Sequence, residues 1–300
     1  MDRIATPGTT REIINKYGIR LHKSLGQNFL TEPKYIEKIV DAADVNQNQV
    51  VVEIGPGIGA LTQALAEKAG LVIAVEIDRN LINVLKEMFS LKDNVRVLYG
   101  DAVKVDFDQI VKDQVDEGVL LPYKVVANLP YYITTPIIMR LLEEGFNFSS
   151  LVLMVQKEVA QRMLAVPGTK DYGALSIGVQ YYCQPGMVTL VPPTVFYPRP
   201  EVESAIIKLE RREQPKVKVK DEKVFFSLVK AAFGQRRKTL LNALANSGFP
   251  LNKEKWLELL KDIPIEPQRR GETLSLEEFA LLADKVKLLS VGFSSSPTDS

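Results

Sequence analysis

Three glycines at alternating positions follow a short apolar run and precede a helical one. They are Gly55, Gly57 and Gly59, and the acidic Glu53 stands two residues before the first of them. Glycine lets the backbone turn sharply, and its missing Cβ lets a ligand come close to the chain. A dinucleotide-binding loop has the spacing G-x-G-x-x-G, so the shorter spacing here, together with Glu53, favours a loop that binds S-adenosylmethionine. The alternative is a tight strand-to-helix turn without a ligand.

Two acidic residues stand where the next two predicted strands end. Glu76 lies 19 residues after Gly57, about where a ribose-binding carboxylate is found. A carboxylate there can accept hydrogen bonds from both ribose hydroxyls. Asp101 follows the next strand, where it can meet the amino edge of an adenine. Either residue alone is more often a solvated charge, but together with the glycine loop they predict a nucleoside site.

The segment Asn128-Leu129-Pro130-Tyr131 follows the fourth predicted strand and suits an exocyclic amine on a nucleobase. The lone pair of such a nitrogen is delocalised into the ring. The side-chain oxygen of Asn128 and the backbone carbonyl of Leu129 can accept hydrogen bonds from its two N–H groups, and Tyr131 can stack on the base. This aims the lone pair at a sulfonium methyl group. Because the leaving group is a neutral thioether, positioning and electrostatics suffice, without a nucleophile or a metal. The base must be unpaired or flipped out of a duplex.

The elements predicted around these residues alternate between strand and helix. Buried strands are predicted at residues 50–54, 71–77, 95–99, 124–129 and 151–156. Such continuously apolar strands indicate a parallel sheet covered on both faces. Residues 187–191 and 204–209 are expected to form an antiparallel pair at its edge. The predicted class is α/β, with a Rossmann-like sheet of the kind found in S-adenosylmethionine-dependent methyltransferases.

Beyond Arg212 the pattern becomes helical only. Amphipathic stretches predict helices at residues 222–233, 237–245, 253–260 and 276–288. We therefore expect a catalytic, cofactor-binding domain over residues 1–210, a small all-helical domain over 211–290 and a flexible tail over 291–300.

Charge is divided unevenly between the two predicted domains. The chain has 38 Lys and Arg against 37 Asp and Glu, which argues against a protein that coats nucleic acid by charge alone. Residues 1–210 carry 21 basic and 25 acidic side chains, whereas residues 211–300 carry 17 and 12. Ten of the basic ones fall within residues 211–238, against three acidic ones. This segment is either a solvated linker with a helix face or a surface that meets phosphates.

The cysteine content and the apolar runs of the sequence indicate where the protein is found. A single cysteine, Cys183, excludes an internal disulfide framework and a multi-thiolate metal site, and fits a reducing compartment. The start has no apolar signal region, and no run reaches the roughly 18 apolar residues of a membrane span. We expect a cytoplasmic protein without a membrane partner. No pattern indicates an obligate dimer, so a monomer is predicted.

With these motifs in view, the chain resembles the ribosomal RNA adenine N6-dimethyltransferases. The resemblance runs from SLGQNFL at residues 24–30 to RGETLS at residues 270–275. It implies S-adenosylmethionine as the methyl donor, S-adenosylhomocysteine as the product and no metal. The cofactor-binding positions that it implies are Asn28, Leu30, Gly55, Glu76, Asp101 and Asn128.

A second family signature matches PPTVFYPRPEVES at residues 192–204. The resemblance implies that its aromatic Phe196 sandwiches the target adenine opposite Tyr131. Without the resemblance, Phe196 is more simply a loop aromatic that fills the core. The predicted catalytic residues are Asn128, Leu129, Tyr131 and Phe196.

One branch of the family is favoured by GQRRKTLLN at residues 234–242 and by the full helical domain. That branch dimethylates two adjacent adenosines in a hairpin loop near the 3′ end of 16S rRNA in the 30S particle, late in small-subunit biogenesis. Arg236, Arg237 and Lys238 are accordingly predicted to bind RNA. The alternatives are a 23S rRNA adenine N6-methyltransferase of the antibiotic-resistance type, whose members tend to be shorter and more basic, and a mainly non-catalytic ribosome-assembly factor. Mitochondrial relatives that serve in transcription are disfavoured, because no transit peptide is apparent.

Overall fold

The computed structural model describes residues 3–21, 26–115 and 122–293. The chain divides into two units, and the first comprises residues 1–160 and 184–211. The strands are β1 (Phe29–Leu30), β2 (Val50–Ile54), β3 (Leu71–Glu76), β4 (Val95–Tyr99), β5 (Tyr123–Asn128), β6 (Phe148–Gln156), β7 (Cys183–Val191), β8 (Phe196–Tyr197) and β9 (Ser204–Arg211). The helices are α1 (Pro7–Lys16), α2 (Pro33–Ala43), α3 (Ala60–Ala66), α4 (Arg79–Met88), α5 (Phe107–Lys112), α6 (Thr134–Glu143), α7 (Lys157–Leu164), α8 (Ala174–Tyr182), α9 (Glu222–Gly234), α10 (Leu240–Ala245), α11 (Lys253–Lys261) and α12 (Leu276–Phe293).

Seven of the strands form one sheet in the order β4-β3-β2-β5-β6-β9-β7. The strands from β4 to β6 are parallel, and β9 runs antiparallel to β6. The carboxyl ends of the parallel strands therefore lie at one edge of the sheet. The chain moves outward from β2 to β4 and then returns to β5 on the other side of β2. Ligands of open α/β sheets bind at such a switch point, outside the carboxyl ends of the strands.

The core of the first unit lies between the sheet and its helices. Val51, Val126 and Val152, from three neighbouring strands, are fully buried, and Ile39 of α2 and Leu65 of α3 join the same cluster. β-Branched side chains suit strands that are covered on both sides. This packing fixes the strands against the helices, so that the loops at the carboxyl edge start from rigid elements.

The predicted α/β class is confirmed, and the five parallel strands lie within three residues of their predicted bounds. The separate two-stranded sheet of β1 and β8 was not predicted. It pairs Phe29 with Tyr197 and Leu30 with Phe196. Strands of two residues are too short to show alternation, and these partners are far apart in the sequence.

The second unit is helical and comprises residues 161–183 together with the chain from 212 onward. The prediction placed residues 161–183 in the catalytic domain. They belong to the second unit because Tyr172 and Tyr181 are buried in one cluster with Phe225 and Trp256. Helix α12 extends to residue 293, into the predicted tail, and residues 294–300 lie outside the described ranges. No helix in those ranges is long and apolar enough to cross a membrane.

Candidate active site

The loop after β2 has a backbone conformation that favours glycine at three positions. Gly55, Gly57 and Gly59 have φ angles of 69°, 60° and 85°. The N–H of Gly55 donates to the carbonyl of Val75 at 3.0 Å, which joins the loop to β3. A Cβ on Gly57 would lie 2.9 Å from the ring of Phe29, so that a larger residue would displace β1. The loop therefore needs glycine both for its φ angles and for close packing.

Glu76 ends β3 and is tied to the glycine loop. Its Oε1 accepts from the N–H groups of Ile77 at 2.8 Å and Asp78 at 2.9 Å, and its Oε2 accepts from the N–H of Gly57 at 3.3 Å. Burial raises the pKa of Glu76, whereas these three donors lower it. A carboxylate has about four acceptor positions. A pair of ribose hydroxyls would compete with the Gly57 N–H, the longest of the three bonds.

Asp101 follows β4 and a tightly packed glycine. A Cβ on Gly100 would lie 2.7 Å from the side chain of Val105. One oxygen of Asp101 accepts from the N–H of Val103 at 3.1 Å, and the other lies 3.6 Å from the ammonium of Lys104. The side chain is 26% exposed. Asp101 is thus held by its own turn and keeps contact with solvent.

Asn128 ends β5, on the other side of β2 from Glu76. Its Nδ2 donates to the backbone carbonyl of Asn28 at 3.0 Å. An amide nitrogen only donates, so Oδ1 is the atom of this side chain that can accept from a ligand, and the bond to Asn28 fixes its direction. The same bond links the end of β5 to the segment that leads into β1.

Leu129 and Tyr131 are each fixed by a partner in the core of the unit. The N–H of Leu129 donates to the carbonyl of Met154 at 3.1 Å, and the leucine side chain is buried. The hydroxyl of Tyr131 shares a hydrogen bond of 2.6 Å with Ser204 Oγ. The backbone carbonyl of one residue and the ring of the other are therefore held before any ligand arrives.

A single cavity at the carboxyl edge of the sheet brings these groups together. Its lining includes Asn28, Leu30, Glu53, Gly55, Ile77, Glu76, Asp101, Asn128, Leu129, Tyr131 and Tyr132. All six predicted cofactor-binding residues and three of the four predicted catalytic residues are among them. Among the described residues, no group of three or more His, Cys, Asp or Glu side chains is arranged to hold a metal ion.

Phe196 is the predicted catalytic residue that does not line this cavity. Its side chain is 5% exposed and belongs to the hydrophobic core. Pairing of β8 with β1 places Phe196 opposite Leu30 and turns the ring into the core. The structure therefore differs from the expected sandwich of Tyr131 and Phe196 about a base, and a stacking role would require the ring to move. That role stays a prediction.

The three residues predicted to bind RNA lie in an exposed turn after α9, in the second unit. The guanidinium of Arg236 donates to the carbonyls of Lys170 and Tyr172 and lies 3.7 Å from a carboxylate oxygen of Glu272. Arg236 therefore holds a neighbouring loop of its own unit. Arg237 and Lys238 remain exposed candidates for RNA contact.

Two supporting residues had no assigned role in the prediction. Ser204 is buried and fixes the hydroxyl of Tyr131, and Phe29 packs on Gly57. Both lie within the two segments that resemble the family. Their side-chain types alone gave no signal of these contacts, because each depends on a partner distant in sequence.

Glu53 is a buried carboxyl group on the wall of the cavity. Its Oε2 accepts from the hydroxyl of Thr62 at 2.6 Å, and the residue is 1% exposed. Burial raises the pKa of Glu53 from its ordinary value of 4.5 to about 8, although the Thr62 bond opposes the shift. The folded protein consequently holds a proton on Glu53 at neutral pH.

This proton predicts a pH dependence of stability. In the unfolded chain Glu53 has its ordinary pKa of 4.5, whereas in the folded protein the pKa is about 8. The contribution of this group to stability is therefore fully present below pH 4.5 and is lost as the pH rises through about 8. The free energy of unfolding should therefore fall by roughly 3 kcal/mol between about pH 5 and pH 8 on account of this group. Glu53→Gln should remove that part of the dependence in urea unfolding, whereas Glu67→Gln, at an exposed position, should keep it. Equal pH slopes for wild type and Glu53→Gln would contradict the assignment.

The chain matches the family model described as Ribosomal RNA adenine dimethylase over residues 18–282. It is 57% identical over 285 residues to ribosomal RNA small subunit methyltransferase A of Moorella thermoacetica, covering 94% of this chain and 98% of that protein. The protein of the same name from Clostridioides difficile is 51% identical, over 95% of this chain and 97% of that one.

Solved structures agree with the sequence relatives. A dimethyladenosine transferase from Plasmodium falciparum superposes with a TM-score of 0.71 and 29% identity, covering 88% of this chain and 98% of that one. The 23S rRNA methyltransferase ErmE superposes with a TM-score of 0.63 and 26% identity, covering 86% of this chain and 99% of that one. The chain belongs to the ribosomal RNA adenine dimethylase family.

Proposed function

We propose that this protein transfers methyl groups from S-adenosylmethionine to N6 of two adjacent adenosines in a hairpin loop near the 3′ end of 16S rRNA, giving N6,N6-dimethyladenosine. The observation that carries the proposal is the meeting of Glu76, Asp101 and the glycine loop with Asn128 and Tyr131 around one cavity. The first group suits a nucleoside cofactor, and the second suits the amine of a base. A role in late small-subunit biogenesis, in the cytoplasm and as a monomer, forms part of the proposal.

The residues present fit S-adenosylmethionine. The positive-φ glycines leave space beside the backbone: a Cβ on Gly55, which lines the cavity, would have, among the described residues, only the carbonyl oxygen of Asn128 within 4 Å, at 3.9 Å. Glu76 would accept from the ribose, and Asp101 would accept from the adenine amine. Asn28 and Leu30, from the segment leading into β1, would contact the cofactor at the other side of the cavity. When bound, S-adenosylmethionine supplies a methyl group activated by a positively charged sulfur.

The catalytic contribution of the chain is to hold the target amine. Asn128 Oδ1 and the carbonyl of Leu129 accept from the two N–H groups of N6, which keeps the lone pair pointing away from them. The amide of Asn128 is oriented by its bond to Asn28, so that acceptance requires no reorganisation. Such preorganised hydrogen bonds are worth more in a partly dry site than in water.

Transfer of a second methyl group requires the monomethylated amine to fit the same site. The amine then has one N–H left, so one of the two acceptors, Asn128 or Leu129, faces the methyl group instead. The remaining bond and stacking on Tyr131 must orient the base. Tyr131 is only partly buried, so its ring keeps a solvent-accessible part for stacking.

The choice of the small ribosomal subunit is supported by the names of the relatives. Proteins at 50–57% identity over nearly the full chain are named small subunit methyltransferases, whereas the large-subunit enzyme ErmE is 26% identical. Arg237 and Lys238 in the helical unit are proposed to contact the rRNA. Binding without catalysis could also hold an immature particle until methylation, and the two roles are compatible.

The test is methyl transfer to isolated subunits. The protein is incubated with labelled S-adenosylmethionine and with small or large subunits that lack the modification, and the RNA is digested to nucleosides. We expect label in N6,N6-dimethyladenosine from small subunits. Label confined to large-subunit RNA would support the antibiotic-resistance activity instead, and absence of label from both would overturn the proposal.

A further inference from the structure

The first 38 residues are basic in a unit that is otherwise acidic. They carry seven Lys and Arg against four Asp and Glu. The following residues, 39–210, carry 14 and 21. The segment includes α1, β1 and the first half of α2, and it also contains the cavity-lining residues Asn28 and Leu30.

Besides Lys16, which pairs with Glu87, three of these cations lie against tyrosine rings. The guanidinium carbon of Arg11 is 5.7 Å from the ring centre of Tyr197. The ammonium groups of Lys34 and Lys38 are 5.8 Å and 5.9 Å from the ring centre of Tyr35. We call Arg11, Lys34 and Lys38, with Tyr35 and Tyr197, the N-terminal basic surface.

Within the described residues, the three cations of this surface have no carboxylate partner. In the described part of the chain, no Asp or Glu oxygen lies within 4.0 Å of the side-chain nitrogens of Arg11, Lys34 or Lys38. By contrast, Arg3 pairs with Glu37 at 2.9 Å. The ammonium group of Lys38 donates a hydrogen bond to a neutral group of β7, Thr189 Oγ1, at 3.2 Å.

The elements that carry this surface are connected to the cavity wall. Tyr197 is the register partner of Phe29, and Phe29 lines the cavity. Lys34 lies in the first turn of α2, and the same helix contributes Ile36 to the cavity wall. These connections are the basis for expecting a polynucleotide with one base in the cavity to reach these cations.

We propose that the N-terminal basic surface binds phosphates of the rRNA strand next to the target adenosine. The inference rests on the proposed function and adds a substrate-contacting surface on the catalytic unit to the residues predicted in the helical unit. Unpaired cations match the charge of the phosphates, and aromatic rings beside Arg and Lys suit single-stranded nucleic acid, whose bases can stack on them. A flipped or unpaired adenosine has such single-stranded neighbours.

The test compares two triple variants of the full chain. The first is Arg11→Gln, Lys34→Gln and Lys38→Gln. The control is Lys86→Gln, Lys92→Gln and Arg96→Gln, which removes the same number of positive charges from exposed residues of β4 and of the chain before it. Strand β4 is the outermost strand at the opposite end of the sheet from β7. Binding is measured without cofactor, on protein-free small-subunit rRNA and on assembled small subunits, over a series of salt concentrations.

The first variant should bind protein-free rRNA roughly ten- to hundredfold more weakly at about 0.1 M salt, and the slope of log affinity against log salt should become shallower by about two. The control should bind within about threefold of wild type, and thermal unfolding and S-adenosylhomocysteine binding should be unchanged in both.

Equal RNA binding by the two variants would overturn the proposal. Loss of binding to assembled subunits alone would also overturn it, in favour of a protein contact. Because binding is read without methylation, an inactive wild type would contradict the proposed function and leave this comparison valid.

Discussion

Replacing Asn128 by alanine should slow methyl transfer by about 10²–10³-fold, because it removes one acceptor that holds the target amine. The protein should still bind its cofactor, since the carboxylates that suit a nucleoside stand on β3 and after β4. Single-turnover transfer to small-subunit RNA gives the rate, and calorimetry with S-adenosylhomocysteine gives the affinity.

Asn246→Ala is a suitable control for this experiment. Asn246 is an asparagine of the helical unit whose amide nitrogen also donates to a backbone carbonyl, that of Asn242 at 2.7 Å. Its loss should leave the rate unchanged. A transfer rate for Asn128→Ala within about threefold of wild type would remove Asn128 from the catalytic residues.

Glu76→Ala should weaken cofactor binding by about a hundredfold. The variant loses the acceptor for the ribose. It also leaves the three backbone N–H groups of Gly57, Ile77 and Asp78 without their acceptor. Each of these donors that stays buried costs about 1–3 kcal/mol. Glu76→Gln keeps one acceptor oxygen and should show a smaller loss. Calorimetry on both variants, with thermal unfolding as a check of folding, measures the effect.

The comparison between the two sites is more informative than either variant alone. Affinity should fall further in Glu76→Ala than in Asn128→Ala, whereas the transfer rate at saturating cofactor should fall further in Asn128→Ala. The reverse order would contradict the assignment of Glu76 to the cofactor and of Asn128 to the target amine.

The sheet and most of the cavity could be predicted because each depends on local sequence. Continuously apolar strands predict parallel pairing, and parallel pairing brings the ends of β2, β3, β4 and β5 to one edge. Glu76, Asp101 and Asn128 could therefore be placed together from their positions at strand ends. Positive φ at Gly55 and Gly57 follows from the same strand-to-helix junction.

Other features depend on contacts between distant segments. The pairing of β1 with β8 buries Phe196, although the family resemblance implied an aromatic beside the target base. The burial of Tyr172 and Tyr181 among side chains of the helical unit moved residues 161–183 out of the predicted catalytic domain. Neither could be deduced from periodicity, because the partners are separated by long stretches of chain.

The charge of the molecule illustrates the same limit. Counts of Lys and Arg directed attention to residues 211–238, and Arg236 of that segment holds a loop of its own unit. Charge counts did not indicate Arg11, Lys34 and Lys38, because these residues lie in a predicted domain with a net negative charge. Only the structure shows that their side chains lie beside tyrosines and, among the described residues, form no ion pair with a carboxylate.

Nucleoside analysis of small-subunit RNA after incubation with wild type and with Asn128→Ala tests the central claim most directly. Unmodified small subunits, S-adenosylmethionine and each protein are mixed, and the digested RNA is measured by mass spectrometry. Wild type should give N6,N6-dimethyladenosine, and the variant should give little or none in the same time. Equal amounts from both proteins, or methylation on a nucleoside other than adenosine, would contradict it.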